Sequence, residues 1–108
     1  QIVLQNGYDH NLCLVGGGYR KCGWVYSEST GIKLTLLTDM PGVHLYCSCN
    51  ERDTEGAKDG KTYSRYGAFC LETQYYPNAT AHSHFPQPVF PANTVFESQT
   101  GFKFSVVP

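Results

Sequence analysis

Charge is scarce in this sequence. Eight Lys and Arg against nine Asp and Glu leave a net charge of -1 over 108 residues, with no basic run. A nucleic-acid backbone requires a concentrated basic patch that releases counterions, so composition argues against that partner. Long apolar runs are missing as well. No stretch approaches the roughly 18 residues of a bilayer-spanning helix, and the first eleven residues lack the basic start and apolar stretch of an export signal. The expectation is a soluble, cytoplasmic chain with no membrane partner. The chain also has no initiator Met, and Gln1-Ile2-Val3-Leu4 reads as the end of an ordered segment of a longer polypeptide.

Paired Cys-x-x-Cys clips are absent. The five cysteines, at 13, 22, 47, 49 and 70, are an odd number at spacings unlike those of structural zinc sites or a disulfide framework. In a strand, Cys47 and Cys49 would point to opposite faces, which makes joint chelation or a disulfide between them awkward. The cysteines read as reduced, mostly buried small hydrophobes, in keeping with a reducing compartment. His82-Ser83-His84 has no carboxylate beside it and reads as polar surface. The single sequon Asn78-Ala79-Thr80 has meaning only in a secreted protein. No metal and no cofactor is implied.

What is present is β-forming sequence with Gly, Pro and Asn between its segments, at a length where folding buries roughly 60–70% of the chain's surface and stability is marginal. Asn11 to Val15, the turn-prone Gly16-Gly17-Gly18 and Cys22 to Tyr26 together read as a hairpin. Ile32 to Thr38 alternates Ile32, Leu34 and Leu36 with Lys33 and Thr35, which predicts a strand with one face in the core. Asp39-Met40-Pro41-Gly42 is a turn signal, and Val43 to Cys47 alternates again. Residues 50–62 hold much of the charge and predict an exposed loop. Ala68 to Gln74 is an apolar strand ending in polar residues. Four prolines between 77 and 91 predict an ordered surface loop over residues 75–91. Val95-Phe96 and Gly101 to Val107 are the closing strands, with Phe102, Phe104 and Val106 on one face. Six or seven short strands point to an antiparallel sheet or half of a sandwich.

Two strand ends offer polar chemistry: Asp9-His10-Asn11 and Glu72-Thr73-Gln74. A Glu where an apolar strand emerges into a loop can be partly desolvated, which suits general-base work, but these residues alone favour a solvated strand-end carboxylate. Eight Tyr, six Phe and one Trp would suit sugar stacking as well as a β core.

The run Gly67 to Ala79, with Leu71-Glu72-Thr73-Gln74 at its centre, followed by His84-Phe85-Pro86, resembles the signature of the aldose 1-epimerase (galactose mutarotase) family. Asp9-His10-Asn11, Ser29-Thr30-Gly31, Met40-Pro41-Gly42-Val43, Leu45-Tyr46 and Gly101 to Val106 match further elements in the family's order. The resemblance implies an all-β antiparallel sandwich, the galactose mutarotase-like supersandwich, of which residues 1–108 are the C-terminal part.

It also implies interconversion of α and β anomers of galactose or glucose. In the family a glutamate takes the proton from the anomeric hydroxyl, a histidine protonates the ring oxygen, the ring opens, C1–C2 rotates and the ring closes. By resemblance Glu72 is the catalytic base, Asp9 binds a sugar hydroxyl, and His44 stands where relatives often carry a sugar-contacting Gln. Asn78 replaces the usual Asp. The family's catalytic histidine, a second sugar-binding histidine and an Asn-Arg pair lie upstream of the matched region, so the chain is expected to hold the base without the acid. It is expected to pack against the upstream portion of its own protein or to self-associate. The competing readings are a non-catalytic carbohydrate-binding module and a structural domain without a ligand.

Overall fold

The computed structural model describes residues 3, 4 and 6–108, so Gln1 and Ile2 of the opening run lie outside the described residues. Six strands form: β1 (Asp9–Cys13), β2 (Arg20–Tyr26), β3 (Ile32–Thr38), β4 (Gly42–Tyr46), β5 (Cys70–Gln74) and β6 (Thr100–Val106). They build two antiparallel three-stranded sheets, β1-β4-β5 and β2-β3-β6. The chain is therefore an all-β sandwich, with only two single-turn 3₁₀ segments among the described residues, Lys58–Gly60 and Ala79–Ala81. Among the described residues no helix is long and apolar enough to cross a membrane.

The alternating segment Ile32–Thr38 forms β3 with the expected bounds. Burial along it does not alternate evenly but deepens toward its end, where Leu36 is 3% exposed and Thr38 fully buried. Thr38 joins the two sheets. Its hydroxyl donates to the Gln99 carbonyl at 2.9 Å and accepts from the Met40 N–H at 3.1 Å, and it neighbours Thr100, which itself meets Thr73 of β5. Leu36, Met40, Val43 and Ala79 complete a small core beside it.

Residues 11–26 do not form a hairpin. β1 pairs with β4 and β2 with β3, so the glycine run carries the chain from one sheet to the other. Two interactions explain this. Leu14 N–H donates to the Pro41 carbonyl and extends the β1–β4 ladder, while the Arg20 guanidinium draws the Val15, Gly18, Thr38 and Met40 carbonyls around itself at 2.9–3.4 Å. The crossover is thus tied to the end of β3 and not to β1. A bulge at Cys22 shifts the β2–β3 register between Lys21 and Gly23.

Val95-Phe96 is not a strand. Phe96 instead joins Phe90 and Tyr75 in an aromatic cluster, with ring centroids 5.1 and 6.4 Å away. The Pro-rich segment is an ordered loop, as expected. The Gln87 side-chain amide donates to the Ala79, His82 and Phe85 carbonyls at 2.9–3.0 Å, and Phe85 packs edge-on against Tyr76.

Two cysteine expectations change. Only Cys49 is buried; Cys22 and Cys47 are half-buried and Cys13 and Cys70 exposed. β4 ends at Tyr46, and Ser48 adopts φ 51°, so Cys47 and Cys49 do not occupy a strand and their side chains are not sent to opposite faces. All five thiols are free.

Phe102, Phe104 and Val106 do share one face of β6, paired with Leu36, Leu34 and Ile32 of β3. That face leaves the core as it runs from Thr38 toward Ile32: Phe104 is 66% and Val106 76% exposed. The radius of gyration is 16.7 Å, against about 13 Å for a compact domain of this length.

Candidate functional site

The two faces of sheet β1-β4-β5 differ chemically, and the difference follows from the two-residue period of each strand. Asp9 and Asn11 of β1, His44 and Tyr46 of β4, and Glu72 and Gln74 of β5 point one way. His10, Leu12, Val43, Leu45, Leu71 and Thr73 point the other, toward the second sheet, where Val43 is 3% exposed. The antiparallel register aligns the polar set. Asn11 pairs with His44 and His44 with Glu72, so the three lie in one row across the sheet; Asp9 and Tyr46 form the next row. Directly opposed residues have Cβ atoms about 4.5–5.5 Å apart.

This polar face forms the floor of an open cleft of about 520 Å³, lined by Asp9, His44, Tyr46, Asn50, Glu51, Glu72, Gln74 and Pro77. The volume lies within the roughly 300–1,000 Å³ of small-molecule sites. Asp9, His44 and Glu72, the three residues singled out in the sequence, meet here.

Asp9 is the organised member of the set. Its Oδ1 accepts from His44 Nε2 at 2.8 Å and its Oδ2 from the Asn50 side-chain amide at 3.2 Å. A carboxylate can only accept, so His44 Nε2 carries a proton, and in the neutral ring Nδ1 is then an acceptor. The Gln74 amide donates to Asn11 Oδ1 at 3.2 Å and closes the neighbouring row. Tyr46 donates to Glu51 Oε1 at 3.3 Å. Burial, helped by the charge of Glu51 and opposed in part by a hydrogen bond with the Asn50 backbone, raises the Tyr46 phenol above its ordinary value, so it remains a donor.

Glu72 is exposed, the solvated strand-end carboxylate that the residues alone favour, because β5 is an edge strand and its side chain projects into the open cleft. Among the described residues no hydrogen bond reaches its carboxylate, so its lone pairs are available to an incoming donor. His10 faces away from the cleft, with its Nδ1 accepting from the Asp9 N–H at 3.0 Å. His82 and His84 stack with Phe85 in the Pro-rich loop.

Asn50 and Glu51 belong to the segment expected to be only an exposed loop. They reach the cleft because the left-handed Ser48 turns the chain back over the end of β4. Their residue types and spacing carry no signal of this, since the turn is made by a serine where Gly or Asn would have announced it.

Fold and site together define an all-β sandwich whose polar sheet face offers carboxylates, an imidazole, amides and a phenol around one open cleft. The chain belongs to the aldose 1-epimerase family, whose sequence profile matches residues 1–103. It is similar to the galactose mutarotase of Bos taurus, 37% identical over 102 residues that cover 94% of this chain and 30% of that protein. The galactose mutarotases of Homo sapiens and Mus musculus are 36% and 33% identical over the same shares. The chain thus spans under a third of the length of these curated relatives.

Proposed function

We propose that this chain carries the base side of an aldose 1-epimerase site, which interconverts the α and β anomers of galactose or glucose by ring opening. Glu72 takes the proton of the anomeric hydroxyl. Asp9 and His44 hold other hydroxyls of the sugar: the Asp9 carboxylate accepts, and His44, with its Nε2–H given to Asp9, offers Nδ1 as an acceptor. The observation that carries this reading is the meeting of Asp9, His44 and Glu72 around one cleft on one polar sheet face. The freedom of the Glu72 carboxylate from hydrogen-bond partners among the described residues fits a base waiting for its proton.

In this reading residues 1–108 are the C-terminal part of the domain, and the histidine that protonates the ring oxygen comes from the upstream portion of the same protein. That portion, or otherwise a second copy of the chain, covers the exposed face of Phe102, Phe104 and Val106. The large radius of gyration supports such a cover. The five free thiols are in keeping with a cytoplasmic setting.

Anomer exchange measured by NMR on the 108-residue chain and on its longer polypeptide tests the proposal. The isolated chain is expected to fall short by about 10²–10⁴-fold for want of the acid. In the longer polypeptide Glu72→Gln is expected to abolish exchange, and exchange that survives it sinks the assignment of the base. Galactose-dependent chemical shifts with no exchange in the longer polypeptide would favour a carbohydrate-binding module instead.

A further inference from the structure

Cys47, Ser48 and Cys49 follow β4 directly, but the strand stops at Tyr46 and Ser48 is left-handed, φ 51°. One residue in a helical conformation of either hand brings its flanking Cα atoms to about 5.4 Å, inside the roughly 4.4–6.8 Å that a disulfide spans. Both sulfurs close on one residue, Tyr8. The Tyr8 N–H donates to Cys47 Sγ at 3.1 Å, and the Cys49 thiol donates to the Tyr8 carbonyl at 3.5 Å. Gly7 leaves the space for them: a Cβ at Gly7 would lie 2.7 Å from Cys47 Sγ and 2.9 Å from Cys49 Cβ, so one point touches both side chains. Cys47 is half-buried and Cys49 fully buried, so a reagent meets Cys47 first and Cys49 waits behind it. Burial, reinforced by the Cys47 sulfur beside it, raises the Cys49 thiol above its ordinary value, in keeping with a thiol held in reserve.

We propose that Cys47 and Cys49 are a dithiol redox site that closes to an intrachain disulfide by exchange with a small-molecule disulfide such as oxidised glutathione, and that closure alters the cleft through Asn50 and Asp9. Cys47, as its thiolate, attacks one sulfur of the disulfide; the S–S bond breaks, a mixed disulfide forms and one glutathione leaves. Cys49 gives up its proton to solvent and its thiolate attacks Cys47 Sγ, releasing the second glutathione. The two cysteines are oxidised and one glutathione disulfide is reduced to two thiols. Closure ends the donation from Cys49 to the Tyr8 carbonyl. Asn50 follows Cys49 and donates to Asp9, and Asp9 follows Tyr8, so both ends of the Asn50–Asp9 contact are attached to residues that must move. The exchange chemistry does not depend on which ligand the cleft takes.

Trypsin cleavage after Lys33 and Arg52 isolates these two cysteines on one peptide. The reduced 108-residue chain is equilibrated in glutathione buffers of graded ratio, quenched with iodoacetamide and mapped by mass spectrometry. That peptide is expected to lose two hydrogens, reversibly with dithiothreitol, in buffers where the exposed Cys13 and Cys70 take glutathione adducts. Its recovery with both thiols alkylated, or with glutathione retained on Cys47, overturns the proposal. Cys49→Ser is expected to trap glutathione on Cys47, and a Cys47 left unmodified in that variant also overturns it. Amide shifts of Asp9, His44 and Asn50 are expected to move on oxidation and return on reduction; their constancy refutes the coupling to the cleft.

Discussion

Replacing Gly7 by Ala tests the packing behind the cleft. Gly7 has φ +146°, a conformation that L side chains rarely adopt, and its missing Cβ leaves room for Cys47 and Cys49. Holding Ala at positive φ costs about 1–2 kcal/mol. Forcing a methyl against a sulfur and a Cβ in a packed site costs about 1–3 kcal/mol more. The expected loss is therefore about 2–5 kcal/mol out of a typical total of about 5–15 kcal/mol. With a urea m-value of about 1–3 kcal/mol per molar, the unfolding midpoint should drop by roughly 0.7–5 M. Urea titrations followed by far-UV circular dichroism read this directly. Gly17→Ala is the control: its Cβ meets nothing within 4 Å and it should change stability by no more than about 0.5 kcal/mol. Because the tightest contact is with Cys47 Sγ, Cys47→Ala should recover part of the loss in the Gly7→Ala background, with a coupling of about 0.5–3 kcal/mol. Equal midpoints for Gly7→Ala and Gly17→Ala, or strict additivity with Cys47→Ala, would refute the reasoning.

Thr38→Val keeps the shape of a fully buried side chain and removes the hydroxyl bonded to the Gln99 carbonyl and the Met40 N–H. A loss of about 1–3 kcal/mol is expected, and an unchanged calorimetric melting temperature would show that this hydroxyl does not join the sheets. Alkali should also destabilise the chain. Burial holds the Cys49 thiol above its ordinary 9.0 and the Tyr46 and Tyr76 phenols above 10.0. The folded state then binds these protons more tightly than the unfolded state, so their contribution is whole below the unfolded values and is lost as pH rises through the folded ones. Urea midpoints should fall above about pH 9, with Cys49→Ala flattening the first part of the decline; a midpoint flat to about pH 11 contradicts it.

Much of the site was legible strand by strand. Gly42–Tyr46 sets His44 between apolar Val43 and Leu45, whereas Asp9 and Glu72 stand in the polar runs Asp9-His10-Asn11 and Glu72-Thr73-Gln74 at the ends of Asp9–Cys13 and Cys70–Gln74. The order of short motifs around Leu71-Glu72-Thr73-Gln74 carried the family. The reason for the exposure of Glu72 was not legible, because it depends on which strand lies at the sheet edge, and the order β1-β4-β5 puts β5 there.

The amino-acid sequence by itself determined where most of the strands lie, which residues of a strand share a face and the family to which the chain belongs. These rest on the period of two and on short contiguous motifs, both local properties. Only the tertiary structure decided that the glycine run crosses between sheets, that Asn50 and Glu51 reach the cleft and that Cys47 and Cys49 close on Tyr8. Pairing partners are chosen by burial and hydrogen bonds between residues far apart in the chain, such as Arg20 with Met40 or Thr38 with Gln99. The left-handed Ser48 is likewise held by its surroundings, with Tyr66 N–H donating to its carbonyl and Arg65 Nε donating to that of Cys49. No window of sequence around Ser48 contains those partners, and the turn they impose brings the two thiols together behind the cleft.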